Sequence, residues 1–223
     1  MKHYIVFLIS SVLLFTSCLM VNNFETAQTA PVEQYQFFGN FSPYYFSLST
    51  DEPNEHVLFY PCAEFIVKSG INENSDIGVG IRVSGVGIEG IYIFPGLVLN
   101  SKYQFLKSKI DGAVSLEGAW YPGFIYGEDF NMFTLRSTLL FSQEKAHRFP
   151  FRIALGAYLW NSVENEFSPS FVANIGFPIR FGPNRKFRLM PDLGFLYGSE
   201  SGGLAQCGLS FGYVGEDVHE IKD

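Results

Sequence analysis

From about residue 35 onward, apolar side chains recur at every second position. Val57, Phe59, Ala63, Phe65 and Val67 share one parity, while Glu64 and Lys68 take the other. Ile77, Val79, Ile81 and Val83 oppose Gly78, Gly80, Arg82 and Ser84. The same alternation recurs in Leu97–Phe105, Asp111–Trp120, Phe133–Phe141, Phe151–Leu159, Phe171–Phe181, Phe187–Tyr197 and Leu204–Tyr213. A period of two puts the two sets on opposite faces of a β-strand. With a first strand within Gln36–Leu48, whose faces are poorly separated, the pattern predicts ten strands. The alternative is eight, with residues before Glu55 outside the wall. Val86–Phe94 reads as an outer loop, as an extension of either neighbouring hairpin arm, or as a strand pair of its own.

Composition decides what the apolar faces meet. Aromatic residues reach 17% and charged residues only 17%, against the quarter charged that is usual in soluble domains. Past the leader no stretch holds the ~20 continuous apolar residues that a membrane-spanning helix needs. Abundant apolar residues without a spanning run are what alternation in a transmembrane barrel produces. The predicted fold is therefore all-β, a single antiparallel up-and-down transmembrane β-barrel over residues 35–213. A soluble β-sandwich also alternates, but it would bury its apolar faces and expose the polar ones. Connections counted back from the last strand alternate between shorter and longer. If the termini lie on the short-turn side, Ile71–Ser75, Ser108–Ile110, Gln143–Arg148 and Gly182–Arg185 are inner turns. Ser49–Glu55, Gly85–Gly96, Tyr121–Asp129, Asn161–Phe167 and Gly198–Gly202 are then outer ones.

Both ends of the chain carry motifs. Met1-Lys2, the apolar run Ile5–Phe15 and the small residues after it have the form of a signal peptide over residues 1–17. Leu14-Phe15-Thr16-Ser17-Cys18 resembles a bacterial lipoprotein box, which implies lipidation of Cys18. Residues 18–34 read as a linker, and residues 214–223 as an acidic periplasmic tail. In the last strand, Gln206, Gly208, Phe211 and Tyr213 form a pattern that resembles the terminal assembly signal of bacterial outer-membrane β-barrels. That resemblance implies outer-membrane lipid and the barrel-assembly machinery as partners, an outer-membrane location and two periplasmic termini.

A barrel wall leaves its polar parity to the lumen, because Arg or Lys on the lipid face at the midplane costs ~2–4 kcal/mol. The inward set includes Glu64, Lys68, Arg82, Lys102, Gln104, Glu117, Arg136, Arg152, Asn174, Arg180, Arg188 and Asp192. Barrels of ~8 strands have interiors that side chains can fill, so the set predicts a lumen zipped by ion pairs. Its surplus of cations suggests a small anion or ordered water inside. Cys62 falls on the inward parity and Cys207 on the outward, which precludes a disulfide between them. Trp120, Tyr121, Tyr126, Trp160, Tyr197 and Tyr213 suit an interfacial girdle.

Chemistry is sparse. No CxxC pair or Cys/His cluster points to a metal, and no phosphate-binding glycine loop, GxSxG or HExxH points to a cofactor or a hydrolase. His-x-Ser, the pair of lipid A deacylase barrels, does not occur. His56, beside Asp51, Glu52 and Glu55, is the one histidine near the outer rim. A net charge of −7 gives no reason to expect nucleic acid. The function expected is that of a non-enzymatic barrel with a structural or surface-interaction role, catalytic residues none. The alternatives are a narrow solute or ion pore, and a membrane-embedded hydrolase using His56. The Tyr121–Asp129 loop could be an adhesive surface, but no residue type names an extracellular ligand.

Overall fold

The computed structural model describes residues 24–47, 62–86, 92–125, 128–144, 149–161, 167–198 and 202–215. The signal peptide 1–17, Cys18, His56 and the tail beyond residue 215 lie outside these described residues.

The alternating segments form β1 (Tyr35–Ser47), β2 (Cys62–Asn72), β3 (Ser75–Val86), β4 (Tyr92–Leu106), β5 (Asp111–Ile125), β6 (Glu128–Gln143), β7 (Phe151–Asn161), β8 (Phe167–Gly176), β9 (Ile179–Phe181), β10 (Phe187–Gly198) and β11 (Gly202–Tyr213). Every neighbouring pair is antiparallel, and β11 pairs with both β10 and β1 to close the ring. The segments β8 and β9 lie end to end against β10, so the wall has ten strands.

Register fixes the shape. From Tyr35 the paired positions run through Ser69, Ile77, Ser101, Leu116 and Ser137. They continue through Ala157, Phe171, Tyr197 and Gly203, which returns the path beside Ser47 at the opposite end of the strand it left. Such a stagger requires strands tilted ~35–45° from the barrel axis. A strand of 11 residues such as β2, at ~3.3 Å per residue and ~40° of tilt, climbs roughly 28 Å. That matches the ~25 Å apolar band of a membrane barrel.

The two faces differ as their parity predicts. Val79, Leu99, Phe65, Phe133 and Phe171 stand on the outside, with Leu99 63% exposed, whereas Arg82 and Arg152 are fully buried inside. This inversion of soluble packing makes acyl chains the solvent of the wall. The first strand was hard to read because it carries aromatics on both faces. Phe37 and Phe41 point outward, while Phe38 points inward and lies under the Arg188 guanidinium at 4.5 Å.

Three expectations change. The Tyr121–Asp129 stretch is not a loop: β5 and β6 stay paired to Ile125↔Glu128, leaving only residues 126–127 between them. Tyr121 is not a girdle residue, since it shares the inward parity of Glu117 and Ala119 and is fully buried. At both ends of Val86–Phe94 the hairpin-arm reading holds, through Gly85↔Ile93 and Val86↔Tyr92, while residues 87–91 lie outside the described residues. Paired arms shorten the β3–β4 and β5–β6 connections, so apart from residues 48–61 between β1 and β2 loop length does not separate the two ends of the barrel.

One seam interrupts the wall. The β7–β8 ladder stops at Arg152↔Gly176, and among the described residues β9 has β10 as its single partner. Phe177 N–H donates to the Pro191 carbonyl at 3.0 Å. In an antiparallel ladder the next residue turns its backbone groups the other way, toward the open edge. That residue is Pro178, which has no N–H to present.

Candidate functional site

The lumen is where the polar chemistry collects, and its two halves are filled differently. In the half away from the termini, side chains reach across from wall to wall. Asn40 Nδ2 on β1 donates to Glu64 Oε1 on β2 at 2.7 Å. The Arg82 guanidinium on β3 grips Glu64 through Nε at 2.8 Å and again through Nη2, which also meets Glu117 Oε1 on β5 at 2.7 Å. Arg82 Nη1 donates to the Tyr121 hydroxyl at 3.1 Å. Arg136 on β6 takes the other Glu117 oxygen at 2.5 Å. A single chain of charge-assisted bonds thus laces β1, β2, β3, β5 and β6 together. Toward the terminal end, where Arg152 is the ladder partner of Ser142, Arg152 and Asp192 pair at 2.8 Å across the intervening Gly176. A Cβ at Gly176 would stand 2.7 Å from the Asp192 carboxylate, so glycine there is what lets the two meet.

In the terminal half, residues 24–30 enter the mouth and form a strap across it. Residues 24–30 of the expected linker are therefore part of the packed interior and not a free tether, while residues 32–34 are exposed at the rim. The reason is hydrogen-bond accounting. A backbone inside a barrel has no water to satisfy it, and here the wall does so. Ala27 N–H donates to Ser142 Oγ at 2.9 Å and Ala30 N–H to Asp76 Oδ2 at 2.8 Å. Lys102 Nζ donates to the carbonyls of Gln28 (2.6 Å) and Thr26 (3.2 Å). Arg188 donates to Thr26 Oγ1 at 3.0 Å and to the Phe24 carbonyl at 3.1 Å. Gln28 is held by Arg180 at 2.9 Å and by Asp111 at 3.2 Å. Glu25 forms an ion pair with Lys68. Where the strap leaves the mouth it passes so close to β2 that a Cβ at Gly70 would lie 2.4 Å from the Ala30 carbonyl.

The structure thus places Glu64, Lys68, Arg82, Lys102, Glu117, Arg136, Arg152, Arg180, Arg188 and Asp192 on the inner face, each in an ion pair. Four more carboxylates join them: Asp111, on the polar parity of its strand, and Asp76, Glu144 and Glu25, which the alternation does not single out. Asp76 pairs with Lys102 at 3.1 Å, Glu144 with Arg180 at 3.0 Å, Glu25 with Lys68, and Asp111 takes the Gln28 amide. Among the described residues, Lys68, Arg82, Lys102, Arg136, Arg152, Arg180 and Arg188 meet an equal number of carboxylates: Glu25, Glu64, Asp76, Asp111, Glu117, Glu144 and Asp192. The surplus of cations suggested an anion inside; among the described residues the chain's own carboxylates, one of them from the strap, balance those cations. Glu144, just past the end of β6, shows the balance of forces. Burial would raise its carboxyl, but Arg180, Arg188 and hydrogen bonds from Thr26 and Arg180 hold it below the usual carboxylate range.

Little room is left. Between the strap and the distal network a cavity of about 20 Å³ is lined by Phe24, Glu25, Asn40, Glu64 and Ile66, among others, enough for roughly one water. Among the described residues no group of three His, Cys, Asp or Glu side chains is placed to hold a metal.

The terminal-strand residues divide between the faces. Gln206 is buried in the lumen and Gly208 stands opposite Asp192, while Phe211 is exposed outside and Tyr213 lies at the rim. Cys62 faces the lumen, Cys207 lies on the outward parity, and neither is in a disulfide.

No family model and no curated protein matches the sequence. Among solved structures the chain is similar to the translocator domain of the autotransporter NalP from Neisseria meningitidis. That match has 10% identity and a TM-score of 0.43, over 80% of this chain and 87% of that one. It is also similar to Ail, the attachment invasion locus protein of Yersinia pestis, solved in complex with the heparin analogue sucrose octasulfate. There the identity is 11% and the TM-score 0.27, over 80% of this chain and 96% of that one.

Proposed function

We propose that this protein is a sealed outer-membrane barrel with a structural or surface-interaction role and no catalytic activity, its termini in the periplasm. The observation that carries this reading is the filled lumen: a charge-balanced lattice in one half and the chain's own residues 24–30 in the other. A pore needs a continuous aqueous path, and both halves oppose one. The part offered to the outside is the pair of extended hairpins, β3–β4 and β5–β6. The latter includes the longest strand, β6 with 16 residues. Two measurements on the purified chain test the proposal. It is expected to float with lipid vesicles in a density gradient, and to enter a planar bilayer without discrete current steps. Failure to float would end the membrane reading. Stable unitary steps would overturn the sealed lumen and favour a pore.

A further inference from the structure

We propose that the terminal mouth is a peptide-binding cradle, which takes a short acid-bearing segment of a partner protein when its own strap, residues 24–30, is displaced. The strap is then a tethered competitor that keeps the cradle closed.

The strap is gripped as a ligand is gripped, along its main chain. Arg188 donates to the Phe24 carbonyl, and Lys102 to the carbonyls of Thr26 and Gln28. Ser142 and Asp76 accept from the Ala27 and Ala30 N–H groups, and Gln104 Oε1 accepts from Thr29 N–H at 3.3 Å. These wall side chains come from β3, β4, β6 and β10, so the surrounding wall sets the strap's path. Main-chain bonds give affinity, and side-chain sites give selectivity. Glu25 pairs with Lys68. Gln28 accepts from Arg180 and donates to Asp111. Ala27 and Ala30 are buried, and Ala27 packs with Ala113, Leu140 and Ala154, where a larger side chain would overpack the wall. The cradle therefore selects an acid, a small residue two positions on, an amide beside it, and a second small residue two positions further.

The ring does not need the strap for its closure. The β1–β11 ladder closes the wall from Phe37↔Tyr213 onward, and the strap joins β1 through residues 31–34, of which 32–34 are exposed. Its departure leaves the wall paired but the mouth unfavourable to leave empty. Lys68 then keeps the Asn100 side-chain carbonyl at 3.2 Å and loses its ion-pair partner, in a buried place where an unpaired charge is costly. A segment that returns a carboxylate to Lys68 restores the pair. The short tether gives the strap an effective concentration on the order of millimolar, so a free peptide competes once the strap has loosened.

The test uses the purified, folded full chain and a labelled synthetic peptide of residues 24–30, with binding read by fluorescence anisotropy. Glu25→Lys sets a second ammonium against Lys68 and is expected to release the strap, seen as faster hydrogen exchange in residues 24–30 with the strands still protected. This variant is expected to bind the peptide about tenfold or more tighter than the wild type does. A peptide with glutamine in place of its glutamate is expected to bind about tenfold more weakly, the effect of losing one charge-assisted bond. Ala27→Phe releases the strap by size instead of charge and is expected to bind the same peptide, which keeps the test open if Glu25→Lys does not fold. No gain over the wild type in a variant whose strap is released would overturn the cradle, as would equal affinity for the two peptides. A strap that stays protected in both variants, or a ring that unfolds in both, would make it an inseparable part of the wall and overturn the proposal as well.

Discussion

The distal and terminal halves of the lumen solve one problem in two ways. Both must fill the interior of a ten-stranded barrel and neutralise the charges that the lipid face cannot accept. The distal half does it with side chains alone, and each bond there joins one stretch of wall to another: Glu64 to Arg82, Arg82 to Glu117, Glu117 to Arg136. The terminal half adds a chain segment, and beside wall pairs such as Lys102–Asp76 its bonds join wall to strap: Lys68 to Glu25, Lys102 to Gln28, Arg188 to Phe24. The difference lies in what a broken bond releases. In the distal half it loosens the ring. In the terminal half it frees the strap and leaves the ring standing.

The largest break comes from Arg82→Met. It leaves the buried Glu64 without a cation and Glu117 with Arg136 alone, at a cost of ~3–5 kcal/mol. Urea titration of the folded barrel is expected to show that loss as global unfolding at lower urea; a loss under ~1 kcal/mol would mean the distal lattice does not hold the ring. A smaller effect comes from Glu25→Gln, which leaves Lys68 without its charged partner, at ~1–3 kcal/mol. Here hydrogen exchange is expected to rise in residues 24–34 while the strands stay protected. Faster exchange of the strands as well would erase the contrast between the halves. Acid sharpens it with the mildest perturbation. Because Glu144 is held below the ordinary carboxylate range in the folded state, its contribution is complete above that range, near pH 4, and fades as pH falls through the lowered value. Protease cleavage of the strap is therefore expected to begin below about pH 4 with the barrel intact. A strap equally resistant at pH 3 would show that Glu144 does not secure it.

The distal half was legible in the sequence because parity alone orders it. Glu64, Arg82, Glu117 and Arg136 sit on unbroken alternation, and the wall leaves them one direction to point. Tyr121 was legible too, two positions beyond Ala119 on the same face, but the Pro122-Gly123 that follows it resembled a turn. The terminal half was not. Glu25 lies in a stretch without periodicity, and its place depends on contacts far away in the sequence, from Lys68 to Arg188. Asp76 and Glu144 flank strand ends, where alternation fades into turns. The one available signal was arithmetic: an inward set rich in cations must find its carboxylates somewhere, and the unassigned acids near the mouth were the candidates.

The proline at position 178 has a consequence during assembly. While the ring is still opening or closing, the rim beside it is where a neighbour's extended segment would otherwise zip on and propagate into fibres. The missing amide hydrogen at Pro178 leaves that margin one donor fewer with which to pair a stranger's strand.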